Sequence, residues 1–277
     1  MRPSTERDHL ERIRRVQTFM ELHLDAPLAI DSLAQLAALS LHHFHRVFRG
    51  VVGESVEAHV RRLRLERAAR SLRANGVRIA DVANGAGYRS HEAFTRAFIE
   101  HFGQSPSDYR KRPGRRARRM SEALLPLPEV RVARYPAIPV VSLRHVGDWD
   151  LAPRTFRQLA RWSKQCGVRG AMHCLVPDDP DITPQDKLRL DACVECTRDV
   201  PRAPGMHAQV IPQGLYAVAI HRGPWTQLTV TYDALIGGWL PTTHYRPAPE
   251  PIVETYLDGA EVPESERRTE VRIRLAD

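Results

Sequence analysis

The stretch YRSHEAFTRAFIEHFGQSPSDY, residues 88–109, decides how the first half of this 277-residue chain folds. Ser90 suits an N-cap, because its hydroxyl can accept from an N–H of the first helical turn. After it, Phe94, Ala97, Phe98 and His101 recur at helical spacing, while His91, Glu92, Thr95 and Arg96 share the opposite face. Gly103 ends the helix, and Pro106 stands in the first turn of the next, where a missing N–H costs nothing. Upstream, 79–87 reads as a short apolar helix and a glycine turn. Helix, tight turn and a second helix with a polar outer face is the pattern of a helix-turn-helix, whose second helix enters the major groove.

The same pattern occurs fifty residues earlier. Ser40, Phe44, Arg46, Phe48 and Gly53 match Ser90, Phe94, Arg96, Phe98 and Gly103, and Leu33, Ala34 and Ala37 match Val82, Ala83 and Ala86 one residue closer. A first helix is expected over 8–24, with Leu10, Ile13, Val16 and Met20 on one stripe. An Arg-rich amphipathic helix over 56–74, with Val60, Leu63 and Leu72 inward, can space the two units. The outward set is His42, His45, Arg46 and Arg49 on the first reading helix, and His91, Glu92, Thr95 and Arg96 on the second. Arginine can fork onto guanine, Glu can accept from cytosine N4 and Thr can meet a thymine methyl, each good pair contributing ~1–3 kcal/mol of discrimination. Ser40 and Ser90, at helix N-termini, suit phosphate. On one helix alone such a face reads equally well as solvated surface; two matched copies favour double-stranded DNA, read at two adjacent major-groove segments. His42, His43 and His45 have no carboxylate or cysteine beside them, so neither a metal nor another cofactor is expected.

Charge agrees with this division. Residues 1–119 hold 23 Lys+Arg against 13 Asp+Glu, whereas residues 120–277 hold 18 against 20. A basic half suits a polyanion and a near-neutral half suits something else. The start lacks the apolar run of a signal peptide and no stretch approaches a membrane span, so the expected location is cytoplasmic, with no membrane partner. Four cysteines are too few for a disulfide scaffold.

Residues 9–112 resemble the AraC/XylS family of transcription regulators. Ala83, Gly87, Tyr88, Phe94, Arg96, Phe98, Gly103, Pro106 and Tyr109 carry the signature. The first unit departs from it, with Ala38 in place of a turn glycine and Val56 and His59 in place of a proline and a tyrosine. The resemblance implies DNA contacts from the outward faces.

A basic linker over 113–126, overlapping the run RKRPGRRARR at 110–119, separates this all-α tandem helix-turn-helix domain (1–112) from an α+β domain (127–277). In the latter, alternating strands are expected at 130–135, 140–145, 173–176, 190–196, 208–211, 216–221, 252–257 and 269–275, with helices at 151–166 and 228–240. His145-Val-Gly-Asp-Trp149 and His221-Arg-Gly-Pro-Trp225 repeat H-x-G-x-W 76 residues apart, and Phe156 and Leu159 match Tyr232 and Leu235. The domain is thus two pseudo-symmetric strand-helix-strand repeats, with a cleft expected between them. Strand alternation puts Glu254 and Tyr256 on one face and Val253, Thr255 and Leu257 on the other, taken as the core. With Trp149, Trp225 and Tyr232 nearby, Glu254 suits a cationic or hydrogen-bond-donating apolar ligand; an exposed strand carboxylate beside ordinary core aromatics is the plain alternative.

Residues 127–277 resemble the GyrI-like effector-binding domains, through LVPDDPDITPQDKLRLDACVEC, VIPQGLYAVAIHRGPW and PIVETYLDGAEVPESERRTEVRIRL. The resemblance implies that Glu254 faces a ligand cleft. Together the two halves read as a ligand-responsive DNA-binding transcription regulator whose partners are promoter DNA, a small-molecule effector and RNA polymerase, and not as an enzyme. The alternatives are a GyrI-like hydrolase or sequestering protein using Glu254, and a metal or thiol sensor through Cys174, Cys193 and Cys196.

Overall fold

The computed structural model describes residues 3–73, 77–111, 129–259 and 261–276, and falls into two compact units, Met1–Arg112 and Pro113–Asp277. The linker expected at 113–126 lies outside the described residues.

The first unit is helical. α1 (Pro3–Leu22), α2 (Ile30–Leu36) and α3 (Leu41–Val52) bury one core, in which Ile13, Val16 and Met20 meet Leu33, Ala34, Phe44 and Phe48. α4 (Val56–Leu72) leads to α5 (Ile79–Gly85), α6 (His91–Phe102) and α7 (Pro106–Lys111). There Phe98 lies edge-on to Tyr109, 5.3 Å between centroids, and against Phe94 and Phe102. Both reading helices end at a left-handed glycine, Gly53 (φ 81°) and Gly103 (φ 70°).

α4 is more than the amphipathic spacer its apolar pattern suggests. It packs against α3, α5, α6 and α7, so it is buried around most of its girth. His59, Arg62 and Glu66 are buried as well, in an ion network. Arg62 reaches Glu54 at 2.8 Å and Glu66 at 3.0 Å, and His59 Nδ1 lies 2.8 Å from Glu54. Burial works to raise the Glu54 pKa, but the hydrogen bonds from His59 and Arg62 bring it down to about 2. Other α4 arginines tie loops down: Arg64 donates to the carbonyls of Leu24 and Ala26, and Arg67 to that of Gly85. Part of the basic charge therefore serves the fold.

The turns of the two units differ at one position. Gly87 has φ 82°, and its counterpart Ala38 is held at φ 50°, the left-handed region that a Cβ disfavours. Arg12 donates to the carbonyls of Ala37 and Ala38, pinning that turn. Ala38→Gly is expected to raise stability by about 0.5–1 kcal/mol, relief of strain outweighing the added freedom of the unfolded chain. Urea unfolding measures this, and a lower midpoint would show that the turn is not strained.

In the second unit all eight expected strands are present: β1 (Arg131–Tyr135), β2 (Ile138–Val146), β3 (Met172–Val176), β4 (Arg189–Glu195), β5 (Met206–Ile211), β6 (Gly214–Arg222), β7 (Ile252–Tyr256) and β8 (Arg268–Arg274). They form one antiparallel sheet in the order β1-β6-β8-β7-β3-β4-β2-β5. α8 (Ala152–Gln165) follows β2, and α9 (Leu228–Asp233) follows β6. The second helix was expected to run unbroken over 228–240; instead α9 passes into a π-helical turn, Ala234–Trp239, and a 3₁₀ turn, Leu240–Thr242.

The duplication extends well beyond H-x-G-x-W. In both repeats the motif histidine holds the loop before the helix. His145 Nε2 lies 2.8 Å from the Asp148 carbonyl and Nδ1 3.3 Å from Thr155; for His221 the same contacts go to Pro224 at 3.2 Å and Thr231 at 2.8 Å. The motif glycines, Gly147 (φ 109°) and Gly223 (φ 127°), take a backbone that side chains exclude. Later, Asp178 accepts from the Arg189 backbone and guanidinium, as Asp258 does from Arg268.

Chain connectivity curls this sheet. β1 and β2 lie near opposite edges yet are joined only by Pro136 and Ala137, and β5 and β6 only by Pro212 and Gln213. Such connectors span at most about 11 Å, so the two edges must approach each other. Accordingly Tyr135, Ile138, Val140, Ile211 and Tyr216 share one cluster with Leu175 and Val253 on the inner face. The outer face is covered by α8, with Val141, Leu143, Leu159 and Trp162, and by α9, with Leu228, Tyr232, Leu235 and Val271.

Candidate functional site

In the first unit, burial along 41–50 and 91–100 follows the same sequence, position for position. Phe44, Phe48, Phe94 and Phe98 are fully buried, which leaves His42, Arg46 and Arg49 exposed on α3 and His91, Glu92 and Arg96 exposed on α6. His45 and Thr95 are half-buried, and the Thr95 hydroxyl is sealed from solvent without a hydrogen bond among the described residues. They occupy the shoulder of each face and the arginines its crest. The Ser90 hydroxyl accepts from Ala93 N at 3.1 Å, whereas Ser40 caps its helix without a side-chain hydrogen bond. Glu92 has its pKa lowered by a backbone N–H and by Ser90, and so stands as an anionic acceptor at the helix start. Ile99 is a further outward residue, 44% exposed, at the position equivalent to Arg49. The fifty-residue repeat carried that signal, but an apolar residue was not counted on a polar face.

In the second unit Glu254 lies at the centre of the sheet. β3 and β7 pair antiparallel with Cys174 opposite Glu254, and the two are equivalent positions of the repeats, 80 apart; the pseudo-twofold axis passes between them. Glu254 is 4% exposed, so the exposed-carboxylate reading fails. So does the expectation that only its opposite face is core. Val253 is buried on the inner face, Leu257 is 45% exposed, and Glu254 is enclosed on the outer face between the two helices.

The expected residues gather around it. The Tyr232 hydroxyl, carried by α9, hydrogen-bonds Glu254 Oε1, and the Tyr256 hydroxyl donates to Oε2 at 2.6 Å. Tyr256 packs against Trp225 (5.4 Å) and Phe156 (5.6 Å), and Trp149 joins the same cluster with Cys174 and Ala152. Trp225 is 40% exposed, and the Arg267 guanidinium lies 4.6 Å from its ring centre. Cavities of about 530 and 400 Å³ open elsewhere in this unit, and neither lining includes Glu254. Glu254 itself is closed in by burial and by the two tyrosines that hydrogen-bond it.

Burial pushes the Glu254 pKa up to about 7, against hydrogen bonds from Tyr256 and Cys174 that favour the anion. Burial likewise raises the Cys174 thiol and the Tyr256 phenol, which stay protonated. Below about pH 4.5 the folded and unfolded chains both hold the Glu254 proton. As pH rises the unfolded chain loses it first, so this contribution to stability is complete below 4.5 and is lost through about 7. Its size is roughly 3 kcal/mol. Glu254→Gln is expected to flatten that fall, seen as a smaller loss of unfolding free energy between pH 5 and 8 than in the parent chain.

Comparison with known proteins matches each unit. A helix-turn-helix domain model matches residues 33–112, and the model of the GyrI-like small molecule binding domain matches 128–276. The right origin-binding protein of Escherichia coli K12 is 39% identical over 101 residues, 36% of this chain but only 35% of that protein's length. The regulatory protein SoxS of Salmonella typhimurium is 36% identical over 104 residues, 38% of this chain and 97% of SoxS. A cryo-EM structure of an EcmrR–DNA complex covers 90% of this chain and 99% of its own, at 15% identity and a TM-score of 0.49, too distant for contacts to be carried across. The helix-turn-helix pair is of AraC type and the GyrI-like match takes in more than half of the residues: the chain belongs to the GyrI-like small-molecule-binding family, with an AraC-type DNA-binding domain in front.

Proposed function

We propose that this protein is a ligand-responsive transcription regulator: Arg46 and Arg96, with their neighbours, read adjacent major-groove segments, and Glu254 senses a small apolar cation. One observation supports the DNA half above others. Two helices from separate repeats expose matched faces, each with an arginine at its centre and a phenylalanine pair beneath. Arg46→Ala and Arg96→Ala are each expected to weaken specific binding by about 1–3 kcal/mol, with little change in non-specific affinity. Gel shift at fixed salt on a selected site and on random duplex measures both, and unchanged specific binding would remove the arginine from the reading face.

The effector half rests on a buried carboxylate that has tyrosine and cysteine neighbours but no cation beside it among the described residues. An apolar cation entering between Trp225, Tyr232 and Tyr256 supplies the missing charge and favours the ionised form. Binding then releases the Glu254 proton. Affinity for a lipophilic cation such as tetraphenylphosphonium is expected to rise about tenfold per pH unit up to about 7 and then level off. Glu254→Gln should weaken it at least about tenfold and remove the pH slope. Calorimetry in two buffers of different ionisation heat reads both, and pH-independent binding would sink the proton-linked version. Effector binding would reach transcription through DNA occupancy or through RNA polymerase. A hydrolase using Glu254 as a general base is disfavoured, because both carboxyl oxygens are already held by tyrosine hydroxyls.

A further inference from the structure

Strand alternation sends the residues flanking Cys174 and Glu254 to the inner face of the sheet. There His173 and Thr255 lie against Arg272, which is 2% exposed. Two other buried arginines of this unit are closed by a carboxylate fork: Arg144 by Asp191 at 2.7 and 2.9 Å, and Arg189 by Asp178 at 2.6 and 2.9 Å. Among the described residues Arg272 has no such fork. Its Nη2 donates to Thr255 Oγ1 at 2.8 Å, its Nε is ion-paired with Glu270 Oε1 at 3.5 Å without a hydrogen bond among the described residues, and its guanidinium carbon lies 4.5 Å from the Tyr135 ring centre and 5.8 Å from that of Tyr216. The other Glu270 oxygen is engaged by Arg131 at 2.8 Å and by the Tyr135 hydroxyl at 2.9 Å. Glu270 and the two tyrosine rings offset part of the cost of burying this guanidinium, and its remaining N–H donors can still take an acceptor from the cavity.

Arg272 lines the cavity of about 400 Å³, together with Tyr135, His173, Glu195, Thr255 and Glu270. One wall is a chain of hydrogen bonds. Thr255 accepts from Arg272, lies 2.9 Å from His173 Nδ1, and His173 Nε2 lies 3.1 Å from Glu195 Oε1. Since Thr255 accepts from Arg272, its own hydrogen is free for Nδ1, leaving an Nε2–H for Glu195. The wall is therefore polarised from a cation at one end to a carboxylate at the other. Arg272 and Glu195 lie on one lining, so neither a lone anion nor a lone cation matches the whole length of the wall. We infer that this inner-face cavity is a second ligand site, for a small zwitterion whose carboxylate sits on Arg272 and whose ammonium sits on Glu195. A threonine and an imidazole separate the two ends, so the ligand carries its charges several bonds apart, as in an ω-amino acid or a dipeptide.

Titration calorimetry of the full chain with 6-aminohexanoate and glycylglycine, against hexanoate and hexylamine, tests this. Saturable binding of a zwitterion, at least about tenfold tighter than either singly charged analogue, is expected. Glu195→Gln, at a half-exposed position suited to substitution, should cost about tenfold, and Arg272→Gln more. Glu254→Gln, on the other face, should leave this binding unchanged while removing the cation response of the first site, so the two sites fail separately. No binding by either zwitterion, equal binding of the singly charged compounds, or no effect of Glu195→Gln would each overturn the assignment.

Discussion

The antiparallel pairing of β3 with β7 is the contact on which the second unit depends. It joins two copies of one motif across their own symmetry axis, so equivalent positions meet there: Cys174 faces Glu254. Two carboxylates at that point would have to share a proton to be buried together. With a small thiol as one member, the other can be a carboxylate held by tyrosines. The same pairing directs His173 and Thr255 to the opposite face, and the short β1-β2 and β5-β6 connections curl that face closed. Register, symmetry and curl thus place one polar cluster on each side of the same two strands.

Duplication governs the first unit in a different way. Its copies lie in series along the chain, and α4 contributes to the packing of both, so that helix cannot keep one face for water. The polar residues this leaves inside are matched to one another: Arg62 to Glu54 and Glu66, and His59 to Glu54. Removing one member would strand a buried charge, typically a loss of about 3–5 kcal/mol. The arginines of α4 show why net charge alone overstates a nucleic-acid surface: Arg64 and Arg67 are engaged with loop carbonyls, whereas Arg46, Arg49 and Arg96 stand exposed on helices with apolar undersides.

The periodic parts of the fold were legible in the sequence. The fifty-residue repeat located both reading helices, and alternation located every strand of the sheet, because one buried face per element leaves a regular imprint. What was hidden is what a single-face pattern cannot encode. α4 and β7 are buried on two sides, so Arg62 and Glu66 did not stand out as buried residues, and Leu257 was wrongly placed inside. Cys174 was weighed only as a metal or thiol ligand, although the lengthening of the repeat offset from 76 in β2 and β6 to 80 in β3 and β7 would have set it opposite Glu254. The inner-face cluster was missed because His173, Glu195, Thr255 and Arg272 come from four strands and meet only once the register is known.

The departures from symmetry fall beside Glu254. The first repeat covers the sheet with one regular helix of 14 residues, whereas the second uses six residues of α-helix followed by a π turn containing Gly237 and Gly238. A π turn is a rare interruption of the α-helical hydrogen-bond pattern, and its glycines add no side-chain packing. Tyr232, which hydrogen-bonds Glu254, is carried on that less regular cover, while Phe156, its counterpart at the 76-residue offset, sits on the regular one. The repeat framework, with its paired histidine staples and paired Asp–Arg clasps, is therefore conserved between the halves where it sets strand register, and relaxed where the buried carboxylate is capped. A closed site with a buried acid opens most cheaply where its cover can shift without unpairing the sheet, and the short helix that carries Tyr232 is the one that continues into the irregular turn.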